Sequence, residues 1–181
     1  PLVELFDPRV GGFSPVGEAE ARVAGAIAVR GDGTAVVAGG IDREGGELVA
    51  AVEEINPSLA SGDDLIRRLG PASQTEAERT GLALVALPDR SILLTGGRTT
   101  TGEITSGLAI LDDDGGDEEF VPLVVAEELV TLETSRTRHS ATLGLGGVVY
   151  VIGGLSADAL ASGELAIRAI ALYRPPAGPI R

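Results

Sequence analysis

The stretch RTRHSATLGLGGVVYVIGG, residues 136–154, passes from polar residues into strand formers and ends on two glycines. The stretches at 21–40 and 78–97 follow the same order of residues. Their glycine pairs recur every 57 residues, at Gly39-Gly40, Gly96-Gly97 and Gly153-Gly154. An arginine stands seventeen residues before the first glycine of each pair, at Arg22, Arg79 and Arg136. A fixed period of this length is typical of a repeat protein.

Each copy of the repeat predicts a β-hairpin. An apolar strand leads into a tight turn and then into a second strand of β-branched and aliphatic residues. The predicted turns are Gly31-Asp32-Gly33, Pro88-Asp89-Arg90 and Leu145-Gly146-Gly147. The consecutive residues 26–29 are all apolar, which indicates a sheet that is covered on both faces. We therefore expect each sheet to pack between two others.

A third and a fourth strand complete each repeat. The third strand is predicted in LVELFDP, LVAAVEEINP, TSGLAILDD and LAIRAIALYRP, with Phe6, Ile55, Leu111 and Tyr173 at equivalent positions. A weaker fourth strand follows around Phe13, Leu65 and Phe120. Four strands per repeat, in sheets packed face to face, predict the blades of a β-propeller. The glycine pair then allows close packing and an exit from the second strand, because glycine has no Cβ and adopts positive φ.

These motifs resemble the kelch repeat, in which an arginine, a His-Ser-Ala-Thr-like strand, a Val-Tyr-Val strand, a double glycine and a Tyr-Asp-Pro strand recur. The match is specific in residues 136–154 and weaker in the first two repeats, which lack the histidine and the tyrosine. The resemblance implies an all-β, kelch-like propeller with four-stranded antiparallel blades. It covers nearly the whole chain, as about three blades of degenerate, bacterial type after a partial N-terminal one. The aromatic residue usual on the fourth strand is Leu65 in the middle repeat.

We expect one propeller segment over residues 1–181, with blades near 1–20, 21–70, 71–127 and 128–181. SQTE at 73–76 fits a capping box and predicts a short helix between two blades. A closed propeller needs roughly four to eight blades, so the chain is expected to be part of a larger ring. Unpaired strands at its ends predict further blades, on another portion of the protein or on a partner. Because a third strand is predicted at each end, simple head-to-tail closure of two copies is not expected.

Composition narrows the classes of partner. The net charge is −13 and all fourteen basic residues are arginines, which disfavours nucleic acids and anionic lipid surfaces. We expect no membrane insertion, since no apolar run reaches eighteen residues, and PLVELFDP lacks the features of a signal peptide. The chain has no cysteine, so disulfide usage does not indicate its cellular compartment. Secretion or the cell envelope is favoured. The absence of lysine and the abundance of Ala, Gly and Arg favour a bacterial source.

The candidate binding residues are polar side chains expected near the loops at the rim. They are Arg22, Arg79, Arg136, Arg98, Thr99 and Thr100. Kelch-like proteins often bind acidic partners at this rim through arginines, so the resemblance implies a binding role. The recurrence of Arg22 and its two counterparts equally suits pairing with nearby carboxylates inside each blade. The loops IDREGG, RTTTGE and LSADALAS are predicted to lie on the same face and to vary, as a binding surface requires.

Metal and catalytic chemistry have few candidate residues. In the acidic stretch at 112–120, Asp112, Asp114 and Asp117 are a weak calcium candidate, with a solvated loop as the alternative, and no other cofactor is expected. Some kelch-fold enzymes are copper oxidases, and this resemblance implies a site of tyrosines, histidines and a modified cysteine. This sequence has only two tyrosines and one histidine and no cysteine, so it lacks the residues of such a site. That histidine, His139, is expected to be structural, and Ser140 lies on the opposite face of its strand.

The sequence therefore favours a non-catalytic binding or assembly module of a kelch-like propeller. Its expected partners are a protein or the remaining blades of the same propeller. The alternative is a carbohydrate-active or sugar-isomerising propeller enzyme, because glycosidase chemistry needs only two positioned carboxylates. Such an enzyme would carry its site on the central face or on further blades.

Overall fold

The structure, a computed structural model, describes residues 2–59, 65–71, 74–112, 118–162 and 170–173. An N-terminal hairpin pairs β1 (Leu2–Asp7) with β2 (Gly12–Glu18). The first four-stranded sheet contains β3 (Ala26–Val29), β4 (Ala35–Ala38), β5 (Val52–Ile55) and β6 (Ile66–Leu69). The second contains β7 (Ala83–Ala86), β8 (Ile92–Thr95), β9 (Leu108–Leu111) and β10 (Val121–Pro122).

The chain continues into a third sheet. A short hairpin of β11 (Val124–Val125) and β12 (Glu128–Leu129) precedes it. The third sheet contains β13 (Ser140–Leu143), β14 (Val149–Ile152) and β15 (Ile170–Tyr173). A six-residue helix, α1 (Ala157–Ser162), lies between β14 and β15. All pairings are antiparallel, so the predicted all-β fold with four-stranded antiparallel sheets is confirmed.

The first two strands of each sheet pair in the same register. Ala26 lies opposite Ala38 in the first sheet, and Ala83 lies opposite Thr95 in the second. The turn after each first strand lies where the sequence predicts it, and in two of them an aspartate fixes it. The carboxylate of Asp32 accepts from the Thr34 N–H at 3.0 Å, and this hydrogen bond lowers the pKa of Asp32.

The core lies between neighbouring sheets, as the apolar residues on both strand faces predict. One buried cluster joins the first two sheets through residues such as Val36, Leu84 and Leu94. A second cluster joins the second and third sheets through residues such as Leu93, Val149 and Val151. Side chains of small and medium size fill both clusters, with Phe120 as the aromatic member of the first. The sheets therefore stack face to face, like successive blades of a propeller.

The prediction of a helix at SQTE is wrong for the residues that the structure describes. Residues 75–77 form a turn, and Ser73 lies outside the described residues. The Gln74 side chain does not cap a helix, because its amide bridges two blades. It donates to the Leu69 carbonyl at 2.8 Å and accepts from the Phe120 N–H at 2.9 Å. Among the described residues, no helix is long and apolar enough to cross a membrane.

Because the strand directions alternate, the connecting loops lie on two opposite sides of the stack of sheets. The turns between first and second strands lie on one side, together with the loops between third and fourth strands. The opposite side carries the three glycine pairs and the loops that follow them, at 41–46, 98–103 and 155–162. We name this side the glycine face.

Candidate interaction surfaces

The first glycine pair forms part of a tight joint between the first two blades. Gly39 and Gly40 have φ values of +66° and +101°, which favour glycine. A Cβ on Gly39 would lie 2.1 Å from Leu82 Cδ2 and 2.6 Å from the Arg79 carbonyl oxygen. The Gly40 N–H donates to that same carbonyl at 2.8 Å. The pair therefore lets one blade hydrogen-bond the backbone of the next.

The second pair repeats this joint, and the third leaves it open. A Cβ on Gly96 would lie 2.4 Å from the Arg136 carbonyl oxygen, and the Gly97 N–H donates to that oxygen at 2.8 Å. Gly153 has the same backbone conformation, with φ +71°, but among the described residues no atom lies within 4 Å of its Cβ position. The third blade thus carries half of an interblade joint.

Arg22 lies inside its blade. Its Nη1 donates to the carbonyls of Gly39 at 3.1 Å and Ala51 at 3.0 Å, and its Nη2 pairs with Glu53. Both charged side chains are 8 % exposed. The arginine therefore links the second strand's glycine to the third strand.

Its counterparts in the next blades make the same bond. Arg79 Nη1 donates to the Gly96 carbonyl at 3.2 Å, and Arg136 Nη1 donates to the Gly153 carbonyl at 3.2 Å. Burial lowers the pKa of both arginines, and pairing with Glu76 partly opposes this for Arg79. The geometry favours the pairing of these arginines within the blades, and their predicted binding role stays a prediction.

Arg98, Thr99 and Thr100 lie on the glycine face, in the loop that follows Gly97. Arg98 and Thr100 are exposed, and Thr99 is partly exposed. Arg98 Nε donates to the Gly102 carbonyl at 2.9 Å, and Thr99 N–H donates to the Glu103 carbonyl at 2.9 Å. These two hydrogen bonds close the loop that carries the three residues.

The calcium candidate falls largely outside the described residues. Asp114 and Asp117 lie there, and only Asp112 can be placed. Asp112 lines a cavity of about 80 Å³ between the first two blades, together with the charged residues Arg30, Glu54, Arg67 and Glu118. Over the described part of the chain, no three acidic or histidine side chains are grouped so that they could hold a metal ion.

His139 is buried between the second and third blades. Its Nε2 lies 2.7 Å from Thr95 Oγ1, and no hydrogen-bond partner for Nδ1 is found among the described residues. Burial, and next the charge of Arg136, lower the pKa of His139 to about 4. The ring is neutral at physiological pH and packs against Gly96, while Ser140 is exposed. These contacts suit the structural role that the sequence predicts.

Several segments together form an acidic cleft that the sequence does not predict. It is an open depression of about 560 Å³ on the glycine-face side of the first blade. Carboxylates line most of it, from Glu18, Glu20, Asp42, Glu44 and Glu53. Glu53 is already paired with Arg22 and accepts from the Glu20 N–H at 2.9 Å. No pattern in the sequence marks this cleft, because its residues come from three separate segments.

The N-terminal end of the stack exposes apolar side chains whose repeat counterparts are buried or, for Val29, partly buried at Ala86. We name Phe6, Phe13, Ile27 and Val29 the N-terminal end face. Ile27 is 58 % exposed, whereas Leu84, its counterpart 57 residues later, is 6 % exposed. Phe13 is 68 % exposed, whereas Phe120, at the same place in a complete blade, is 2 % exposed.

The C-terminal end shows the same contrast. We name Tyr150, Ile152 and Gly153 the C-terminal end face. Tyr150 is 38 % exposed and Ile152 is 47 % exposed, whereas their counterparts Leu93 and Thr95 are both 0 % exposed. The period of 57 residues identifies these equivalent positions in the sequence. Which of them is exposed depends on whether another sheet packs against its blade.

Comparisons with known proteins agree with this geometry. The fold is that of a kelch-like β-propeller. The chain is similar to the structure of YjhT, a kelch-repeat propeller protein, with a TM-score of 0.71 and 17 % sequence identity. The match covers 97 % of this chain and 50 % of YjhT, so the chain spans half the length of that protein. No family model and no curated protein matches the sequence.

Proposed function

We propose that this chain is a kelch-repeat module that acts by assembly and binding and not by catalysis. Its two end faces bind further four-stranded blades of the same type. The N-terminal end face takes the inner half of a blade, and the C-terminal end face takes a complete neighbour. The exposed loop at Arg98, Thr99 and Thr100 provides a polar contact surface on the assembled ring.

The contrast in burial between equivalent residues carries this proposal. Phe120 and Leu93 are buried because a neighbouring sheet covers them, and Phe13 and Tyr150 occupy the same repeat positions without such a sheet. Burying apolar surface stabilises an interface by about 25 cal/mol per Å². Exposed patches of this kind mark interaction sites in soluble proteins. The half-formed joint at Gly153 supports the same conclusion from backbone geometry.

The carbohydrate-active alternative stays a prediction from the sequence. The carboxylates of the acidic cleft include Glu53, which is committed to Arg22 inside the blade. Among the described residues, His139 is used in packing against Thr95 and Gly96. Since Glu53 and His139 make these structural contacts, no pair of described acids stands out as a general acid and a general base.

Sedimentation velocity over a concentration series tests the assembly function. We expect the purified chain to associate, and Ile27→Arg or Tyr150→Arg to abolish the association while circular dichroism stays unchanged. Ser58→Arg is the matched control, because it adds the same charge at an exposed residue outside both end faces and outside the loop at Arg98, Thr99 and Thr100. A wild-type chain that stays monomeric with full strand content, and that neither end-face variant alters, would contradict the proposal.

A further inference from the structure

We propose that the cavity between the first two blades binds a small zwitterion with the chemistry of a free amino acid such as alanine. This is the cavity of about 80 Å³ whose charged lining residues are Arg30, Glu54, Arg67, Asp112 and Glu118. It lies between two sheets of the chain and involves neither end face. The inference therefore goes beyond the assembly function and does not depend on it.

Comparison of the repeats shows that the fold does not require charge at this place. Three charged residues of the first blade line the cavity, and they are Arg30, Glu54 and Arg67. Their counterparts in the second blade are Leu87, Ile110 and Val121. Replacing a buried ion pair by well-packed apolar residues is often neutral or stabilising, so stability alone does not explain the charges. Residues that break a local rule of the fold are expected at functional sites.

The floor of the cavity is a buried ion pair that both blades hold in place. The side chains of Arg30 and Glu54 are 2 % and 11 % exposed, and Arg30 Nη1 donates to Glu54 Oε2 at 2.5 Å. Arg30 Nε also donates to the Arg90 carbonyl of the second blade at 2.8 Å. Arg90 has a φ of +76°, at a position where the other two repeats have glycine. Backbone strain of this kind concentrates at functional sites.

The rim of the cavity offers a donor and an acceptor side by side. Arg67 comes from the first blade and Glu118 from the second, and both side chains are about half exposed. Arg67 Nη1 donates to Glu118 Oε1 at 2.7 Å, and Arg67 Nε donates to Glu54 Oε1 at 3.1 Å. A guanidinium has five N–H groups and a carboxylate accepts at both oxygens. Among the described residues, Arg67 Nη2 and Glu118 Oε2 have no hydrogen bond of their own, so both can face a ligand.

Charges of both signs at the rim favour a ligand that carries both signs. A ligand carboxylate would accept from Arg67 Nη2, and a ligand ammonium would donate to Glu118 Oε2, each in a charge-assisted hydrogen bond. A ligand with one sign only would lie close to a like charge, from Glu54 if it is an anion or from Arg30 if it is a cation. Leu69 and Leu111 also line the cavity and suit a short carbon side chain.

The volume limits the size of this ligand. One water needs about 10–15 Å³ by the same kind of measure, so the cavity has room for roughly five to eight water-sized groups. Glycine and alanine are of this size, and aromatic amino acids are larger. The proposed ligand is therefore a free amino acid with a small side chain.

Isothermal titration calorimetry of the full chain with L-alanine tests the inference. We expect saturable binding at one site per chain. Acetate and ethylammonium each carry one half of the zwitterion and should bind at least about tenfold more weakly, because each lacks one charge-assisted hydrogen bond. L-Phenylalanine should bind more weakly than alanine because its side chain exceeds the cavity.

Two substitutions on one strand locate the binding site. Arg67→Val gives the first blade the residue of the second, and it should weaken alanine binding at least about tenfold while circular dichroism stays unchanged. Arg68→Val is the matched control, because Arg68 is the next residue of β6, is similarly exposed and lies on the opposite face of the strand. Alanine binding should survive this change. Glu118→Gln removes the negative charge at the rim and should weaken binding of alanine more than binding of acetate.

The outcomes leave the assembly function to its own test, since no end-face residue is altered. Failure of alanine and glycine to bind the folded chain overturns the site. Acetate or ethylammonium binding as tightly as alanine overturns the zwitterion as ligand. Equal losses of binding in Arg67→Val and Arg68→Val, or no loss in either, overturn the placement of the ligand in this cavity.

Discussion

Replacing the first glycine of each pair by alanine compares two copies of one joint, one closed and one open. Gly39 and Gly153 share a positive φ, at +66° and +71°. They differ in surroundings, because a Cβ on Gly39 meets the next blade, whereas a Cβ on Gly153 meets no atom of the described residues within 4 Å. The difference between the two substitutions therefore isolates interblade packing from backbone strain.

The expected magnitudes follow from these contacts. A left-handed conformation costs an alanine about 1–2 kcal/mol, and this cost applies at both positions. At Gly39 the Cβ would lie 2.6 Å from the Arg79 carbonyl oxygen, which is held by its bond to Gly40. Overpacking against fixed backbone adds about 1–3 kcal/mol. Gly39→Ala should therefore lower the free energy of unfolding by about 3 kcal/mol or more, and Gly153→Ala by about 1–2 kcal/mol.

Thermal and urea unfolding in an Ile27→Arg background measure this difference without contributions from association. About 2–4 °C of Tm corresponds to 1 kcal/mol in a chain of this size, so Gly39→Ala should lose at least about 6 °C. Gly96→Ala should behave like Gly39→Ala, because its Cβ would lie 2.4 Å from the Arg136 carbonyl oxygen. Equal losses at Gly39 and Gly153 would show that the glycines serve only backbone conformation, and would refute the packing argument.

Two further predictions concern buried charge and protonation. Because the pKa of His139 is about 4 in the folded chain and higher when unfolded, stability should fall as pH decreases from about 6.5 to 4. His139→Gln should flatten this part of a urea-midpoint series against pH, and an unchanged slope would exclude the histidine as its source. Glu53→Gln should cost about 3 kcal/mol because it leaves Arg22 buried without its carboxylate. Arg68→Gln, which removes the half-exposed pair with Glu20, should cost less than about 1 kcal/mol, and similar losses in chemical denaturation would contradict this reasoning.

The linear pattern predicted the local structure well where neighbours in the chain decide it. The turns at 31–33, 88–90 and 145–147 and the strands around them depend on Asp, Gly and β-branched residues that act within a few positions. The helix at SQTE failed for the opposite reason. Its Gln74 side chain is held by Leu69 and Phe120, which a capping pattern does not reveal.

The sequence by itself determined the period of 57 residues, the four-stranded repeat and the positions of the glycine pairs, because these depend on local propensity and on repetition. Tertiary structure alone decided where each copy of a repeated residue lies. Arg22 faces carbonyls inside its blade, and Phe13 and Phe120 occupy one repeat position with opposite burial. Burial depends on which sheet lies alongside a strand, and that neighbour comes from a distant part of the chain. The uncovered end faces, which carry the proposed function, are therefore a property of the assembled stack.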